Sequence, residues 1–145
     1  TALDWGLLDD PAHKGIHDLI RDLNSLYCRY PALHEGDCQH GGFAWIDCGD
    51  RFNSVLTLLR RAADHRDFVT VAFNFTALTQ SGYRIGVPTA GTYVELLNTD
   101  STFYGGRNQG NTGRVQTEPI PAHGFAQSLN LTLPPLAALF LKPEA

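Results

Sequence analysis

The sequence predicts an all-β fold, an antiparallel β-sandwich preceded by one amphipathic α-helix, and three features predict it. An apolar period of 3.6 residues is confined to residues 11–30, and a period of two takes over after Pro31. Clusters of Asn, Gly, Asp and Pro then punctuate the chain at short spacing, the third feature. No helix-length apolar pattern returns between the later segments, which favours a sandwich over an alternating α/β sheet.

The helix comes first. Ile16, Leu19, Ile20, Leu23, Leu26, Tyr27 and Tyr30 fall at offsets of three and four and form one stripe. Asp9 and Asp10 supply negative charge and a candidate N-cap, Pro11 suits the first helical position, and Pro31 closes the far end. Gly15 weakens the first turn. The stripe must bury against something, either the sheet or elements upstream in a longer protein, so we expect a helix folded back on the sheet or self-association.

Strands follow. Val55, Thr57 and Leu59 alternate with Leu56, Leu58 and Arg60, and residues 68–75, 92–97, 128–133 and 136–141 read the same way. Turn clusters separate them at 47–53, 63–67, 86–91 and 98–113 and at Pro134-Pro135. The longest apparent loop, 98–113, carries Gly105, Gly106, Gly110 and Gly113 and is expected to serve function or an interface.

Composition excludes several classes. At 145 residues with 43% hydrophobic and 18% charged, the chain suits one globular core with at most an appendage. The net charge of -4 carries no run of five like charges, so neither nucleic acid nor an anionic membrane is an expected partner, and neutral partners fit better. No stretch approaches the roughly 20 apolar residues of a membrane span, and no signal-like segment opens the chain, so a cytoplasmic location is expected. The start at Thr1-Ala2-Leu3-Asp4-Trp5, without Met, suggests a piece of something longer. Cys28, Cys38 and Cys48 are odd in number, ten apart and without Cys-x-x-Cys spacing. Three free thiols is the simplest account, and a Cys38–Cys48 bridge is the alternative.

The search for chemistry yields little. His34, Glu35, Asp37, Cys38 and His40 bring five potential ligands within seven residues, but no periodicity converges them, and a solvated connector is expected rather than a metal site. Neither a Gly-x-Ser-x-Gly elbow nor a phosphate-cradling Gly-x-x-x-x-Gly-Lys-Ser/Thr loop occurs. The glycines of 105–110 do not open an apolar-periodic helix and read as turn residues. Asp47, Asp50, Asp64, Asp67 and Asp100 lie in turn contexts where water keeps a carboxylate ordinary, so no glycosidase-type acid pair is assigned. Asn74-Phe75-Thr76 and Asn130-Leu131-Thr132 match the glycosylation sequon but fall in predicted strands, and chance matches are expected.

The aromatics remain: Trp5, Phe43, Trp45, Tyr83, Tyr93, Phe103, Tyr104 and Phe125, several near turns. Taken singly, each is expected to pack in a core. An exposed ring, however, can stack on the apolar face of a glucose unit, and Trp45, close behind Gly41-Gly42, is the best candidate, with Tyr104 second.

The order of short motifs resembles the carboxy-terminal region of bacterial 1,4-α-glucan (glycogen) branching enzymes of the α-amylase superfamily. The resemblance runs through Leu3-Asp4-Trp5, Asp22-Leu23-Asn24, Leu26-Tyr27 and Pro31-Ala32-Leu33-His34-Glu35. It continues through Gly42-Phe43-Ala44-Trp45-Ile46, Asn53-Ser54-Val55-Leu56, Asn74-Phe75-Thr76 and Tyr83-Arg84-Ile85-Gly86-Val87-Pro88. Leu97-Asn98-Thr99-Asp100, Tyr104-Gly105-Gly106, Gly110-Asn111, His123-Gly124 and 128–135 complete it. Cys38, Gln39 and His40 depart from the family pattern, as do Cys28 and Cys48.

The resemblance implies a C-terminal all-β domain of α-amylase type at residues 37–145, preceded at 1–36 by the terminal segment and last helix of a catalytic (β/α)8 barrel. The parent enzyme would cleave an α-1,4 link, hold the donor on an Asp and pass it to a 6-hydroxyl, using barrel acids that no segment here matches. Implied partners are an α-glucan, through the parent, and the upstream barrel. No catalytic residue, cofactor or metal is implied for this chain, and alone it is expected to be inactive. Two other readings stay open: a stand-alone carbohydrate-binding module with Trp45 and Tyr104 as its platform, and an enzyme in its own right.

Overall fold

The computed structural model describes residues 4–144, so Thr1, Ala2, Ala145 and the Leu3 of the opening motif lie outside the described residues. A 3₁₀ turn at Trp5–Asp9 leads into helix α1, Pro11–Arg29. Asp10 is the N-cap, its carboxylate accepting from the Ala12 amide at 2.8 Å and the His13 amide at 3.4 Å, with Pro11 in the first turn where no N–H is needed. Tyr30 is extended, as a residue before proline prefers, and ends the helix. A single 3₁₀ turn, Pro31–Leu33, follows.

Eight strands complete the fold: β1 Phe43–Asp47, β2 Val55–Arg61, β3 Phe68–Asn74, β4 Gln80–Val87, β5 Thr92–Asn98, β6 Arg114–Gln116, β7 Gln127–Leu133 and β8 Ala137–Pro143. Six form one sheet in the order β1-β2-β3-β8-β5-β6, and β4 pairs with β7 in a second. Every pairing is antiparallel. The expected all-β sandwich with one leading helix is what forms, and the expected strands at 68–75, 92–97, 128–133 and 136–141 agree with β3, β5, β7 and β8 to within two residues.

The period of two sorts side chains between two cores. Val55 and Leu59 of β2, Phe68 and Ala72 of β3, and Leu139 and Leu141 of β8 face the small sheet, where Ile85, Leu129, Leu131 and Leu133 meet them. On the opposite face of the large sheet, Val69 and Val71 join Leu58, Phe73 and Phe140 beneath Leu26, Tyr30, Ala32 and Leu33. β3 is therefore buried on both sides, and the helix has folded back on the sheet as the orphan stripe required.

Three strands were not among the expected segments. β1 is short, with exposed aromatics on one face. β4 contains Gly82 and Gly86 and a register shift between Gln80 and Tyr83, so its alternation is broken, and the expected turn at 86–91 in fact begins inside this strand. β6 has three residues, Arg-Val-Gln, with almost no apolar signal.

One local expectation is refined and one is corrected. The segment 34–42 is solvated, with Glu35 and residues 37–40 exposed, but it is tied down. Glu35 Oε2 accepts from the Ala63 amide at 2.9 Å, Asp37 pairs with Arg60, and the Gly42 carbonyl accepts from the Arg61 amide at 2.9 Å, which straps the segment onto β2 and its end. The Asn74-Phe75-Thr76 sequon begins at the last residue of β3 and leaves it. Asn74 is buried, donating through Nδ2 to the Leu78 and Pro134 carbonyls at 2.8 Å each and accepting from the Thr76 amide at 3.0 Å. It locks two chain reversals together.

Candidate functional site

β1 builds the best-presented aromatic surface. Ala44 and Ile46 point into the inter-sheet core, so the pleat sends Phe43 and Trp45 to the opposite face. Their rings meet edge to face, with centroids 4.9 Å apart and planes at 88°. Trp45 stays 50% exposed and Phe43 43%. β1 is an edge strand, so no neighbouring strand covers this pair on its outer side. Contact with a second ring restricts the indole, which suits a stacking surface better than a free side chain.

Beside this pair runs an apolar groove of about 440 Å³ between α1 and the outer face of the large sheet, lined by Leu23, Leu26, Leu33, Phe43, Val71 and Phe140. Its polar rim is a linked trio. Arg60 pairs with Asp37, and Asp37 accepts from the Tyr27 hydroxyl at 2.8 Å. The Arg60 guanidinium, and then the Tyr27 hydrogen bond, hold the Asp37 carboxyl below the usual carboxylate range, and the same hydrogen bond pushes the Tyr27 phenol up. Sequence reading missed this trio because its members are local to different elements.

Tyr104 is placed differently. It ends a 3₁₀ turn, Thr102–Tyr104, that Ser101 caps, and its half-buried side chain donates through the hydroxyl to Asp22 of α1 at 2.9 Å. Burial first, and then the Asp22 carboxylate, push its phenol up to about 12. β1 and β5 lie four strand spacings apart, about 19 Å at roughly 4.8 Å per strand, and the Tyr104 turn follows β5. The fold does not bring Trp45 and Tyr104 into one platform.

The remaining rings divide. Tyr93 is core and Phe125 packs against it. The half-buried Tyr83 donates to Asp50 at 2.7 Å, while Trp5 and Phe103 are exposed in short turns. Phe52, in an expected turn, is almost fully exposed, and Phe73 stacks on Phe75 with centroids 6.0 Å apart. Nothing in a single turn residue signals the first, whereas the Phe-x-Phe spacing could have signalled the second.

Two of the turn acids favour their charged form. Asp50 is held below the usual range by Asn53 first, and Asp64 by Arg66. The Asp100 carboxylate accepts from the Arg107 and Gln109 amides, a turn-forming role. Among the described residues, no three His, Cys, Asp or Glu side chains converge, and Cys28, Cys38 and Cys48 are unpaired and exposed.

Comparison with known proteins matches this arrangement. Residues 45–144 fit the family described as alpha amylase, C-terminal all-beta domain. The chain is 55% identical to the 1,4-alpha-glucan branching enzyme GlgB of Paramagnetospirillum magneticum, over 99% of this chain and 20% of that protein. It is 52% identical to the enzyme of the same description from Rhodospirillum rubrum, over 99% of this chain and 19% of that protein. With the one from Rubrobacter xylanophilus the identity is 50%, over 99% and 20%. The chain spans about a fifth of the length of these curated relatives.

Proposed function

Because this chain belongs to the alpha amylase C-terminal all-beta domain family, we propose that it is the non-catalytic C-terminal region of a 1,4-α-glucan branching enzyme. One observation carries the reading: identity of half or more, sustained over nearly the whole chain, to proteins of that description. The parent transfers α-1,4-glucan chains to 6-hydroxyls and so makes α-1,6 branches, with glycogen synthesis in the cytoplasm as its setting. Its covalent chemistry belongs to barrel acids outside this chain, whose motifs no segment here matches.

Residues 1–36 then form the end of the catalytic barrel and residues 37–145 the sandwich. Supporting this division, the family match begins at Trp45, and α1 turns only part of its stripe to the sheet. Ile16 and Ile20, exposed at 62% and 52%, are the face assigned to the barrel. The domain's role is to hold that flank and to touch glucan at the surface. Trp45 and Tyr104 are the proposed contacts, acting at separate points, with the exposed Trp45–Phe43 pair the stronger.

Two measurements test the reading. The complete encoded protein should lower the iodine stain of amylose while this 145-residue chain alone leaves it unchanged; staining altered by the chain alone would overturn the non-catalytic assignment. Maltoheptaose should quench tryptophan fluorescence, and Trp45→Ala should abolish the change. A response surviving in that variant rejects Trp45 as the contact. A submicromolar affinity would instead favour the stand-alone carbohydrate-binding module.

A further inference from the structure

A second cavity, also about 440 Å³, lies at the far side of the large sheet from Trp45, between the end of β5 and the loop 108–113. It falls within the roughly 300–1,000 Å³ range of small-molecule sites. Unlike the α1 groove it is polar, lined by Glu95, Asn98, Asn108 and the loop 110–113.

The loop is built to hold its shape. Asn108 and Thr112 take left-handed backbone at φ 57° and 58°, rare for residues with a Cβ and sustained only where the surroundings fix them. Asp100 receives the Gln109 amide at 2.9 Å, and the Gly113 carbonyl accepts from the Glu95 amide at 2.8 Å. Asn111 reaches the other sheet, accepting from the Thr132 amide at 2.7 Å and donating to its carbonyl at 3.1 Å. The cavity is thus formed before any ligand arrives.

Its polarity is specific. Glu95 is half-buried and forms no ion pair among the described residues; its one side-chain partner is the Asn111 amide at 3.3 Å, which leaves carboxylate lone pairs unused. The Asn98 and Asn111 side-chain carbonyls are taken by the Asp100 and Thr132 amides. Their N–H groups are spent as well, Asn98 Nδ2 on the Gln109 carbonyl at 2.6 Å and Asn111 Nδ2 on Glu95 and the Thr132 carbonyl, so the lining side-chain amide without a hydrogen-bond partner among the described residues is that of Asn108. A calcium ion needs six to eight oxygens, usually from several carboxylates, and this lining offers one carboxylate. Vicinal hydroxyls, able to donate to Glu95 and to accept from the Asn108 amide, fit this pair.

We propose that this cavity is a second glucan site that takes one glucose unit through hydrogen bonds, with Glu95 as its principal acceptor. The inference rests on the branching-enzyme reading for the identity of the sugar. With no ring stacked in the cavity, binding is weak, in the millimolar range.

Amide NMR of the 145-residue chain titrated with maltose tests it, with calcium chloride as the second probe. The amides of residues 110–113 should shift saturably with maltose, in native protein and in Trp45→Ala alike. Glu95→Gln should weaken that response about tenfold, the scale for losing a hydrogen bond to a charged group. Should this variant unfold, Asn108→Gly, which removes a lining side chain and relieves a left-handed residue, replaces it and should also weaken the response. Loop amides indifferent to maltose while the Trp45 indole shifts would overturn the proposal and leave the surface-contact reading standing; silence at both would reject both. A response to calcium but not maltose, or an undiminished maltose response in a folded Glu95→Gln, would equally overturn it.

Discussion

Gly15 shows how a single residue can look like a defect and be a requirement. In an exposed helix, alanine is worth about 1 kcal/mol over glycine. Here an added Cβ would lie 2.5 Å from the Tyr104 carbonyl oxygen and 2.8 Å from its carbon, both backbone atoms that cannot swing aside. Overpacking costs roughly 1–3 kcal/mol and outweighs the propensity gain. Gly15→Ala should therefore destabilise the chain by about 1 kcal/mol in urea unfolding; a stabilised variant would mean that the turn at Tyr104 is free to move. Asn74 is a second such residue. Asn74→Ala strands the Leu78 and Pro134 carbonyls and should cost about 2–3 kcal/mol by the same measurement.

At the scale of elements, α1 is tied down at two places, by Tyr104 to Asp22 and by Tyr27 to Asp37 with Arg60. The two ties respond to pH in opposite senses. A phenol raised to about 12 favours its neutral form in the fold, so the Tyr104 tie is whole below the ordinary value of 10.0 and is lost as pH rises through about 12. A carboxyl held low favours its charged form, so the Asp37 tie is whole above the ordinary value of 3.8 and is lost as pH falls through its lower folded value. Urea midpoints should show Tyr104→Phe destabilising at neutral pH, with the gap to native protein closing in strong alkali. Asp37→Asn should show its gap closing in acid instead. A gap constant across pH in either variant would mean that packing, not the charged tie, holds the helix.

For the whole molecule, the helix stripe is divided. Leu19, Leu23, Leu26 and Tyr30 are half-buried, while Ile16, Ile20 and Tyr27 stay exposed, as do Leu7 and Leu8 in the preceding turn. Burying one large apolar side chain is worth about 1.5–3 kcal/mol, so an uncovered row of them drives association. Replacing Ile16 and Ile20 together with Lys should lower the self-association of this chain in sedimentation experiments while changing stability by no more than about 0.5 kcal/mol. Leu26→Ala, on the sheet side, should do the reverse, leaving association alone and costing about 2 kcal/mol. Equal effects from both would show that the stripe is not divided.

What could be read from the residues was local. The helix boundaries follow from Asp10, Pro11 and Pro31, because a cap and a proline act on their own neighbours. β2, β3, β5, β7 and β8 follow from alternation within single segments. β1, β4 and β6 were not legible, since short or glycine-broken segments take their strand character from a partner across the sheet. The sequence by itself determined the fold class, the helix and its seam, and the absence of a nucleophile or phosphate-loop motif. Tertiary structure alone decided that β8 inserts between β3 and β5, that Tyr104 ties down a helix rather than joining Trp45, and that Asn111 props open a cavity around Glu95. Each of these joins residues more than a dozen positions apart, and no local pattern encodes which distant surfaces must be covered.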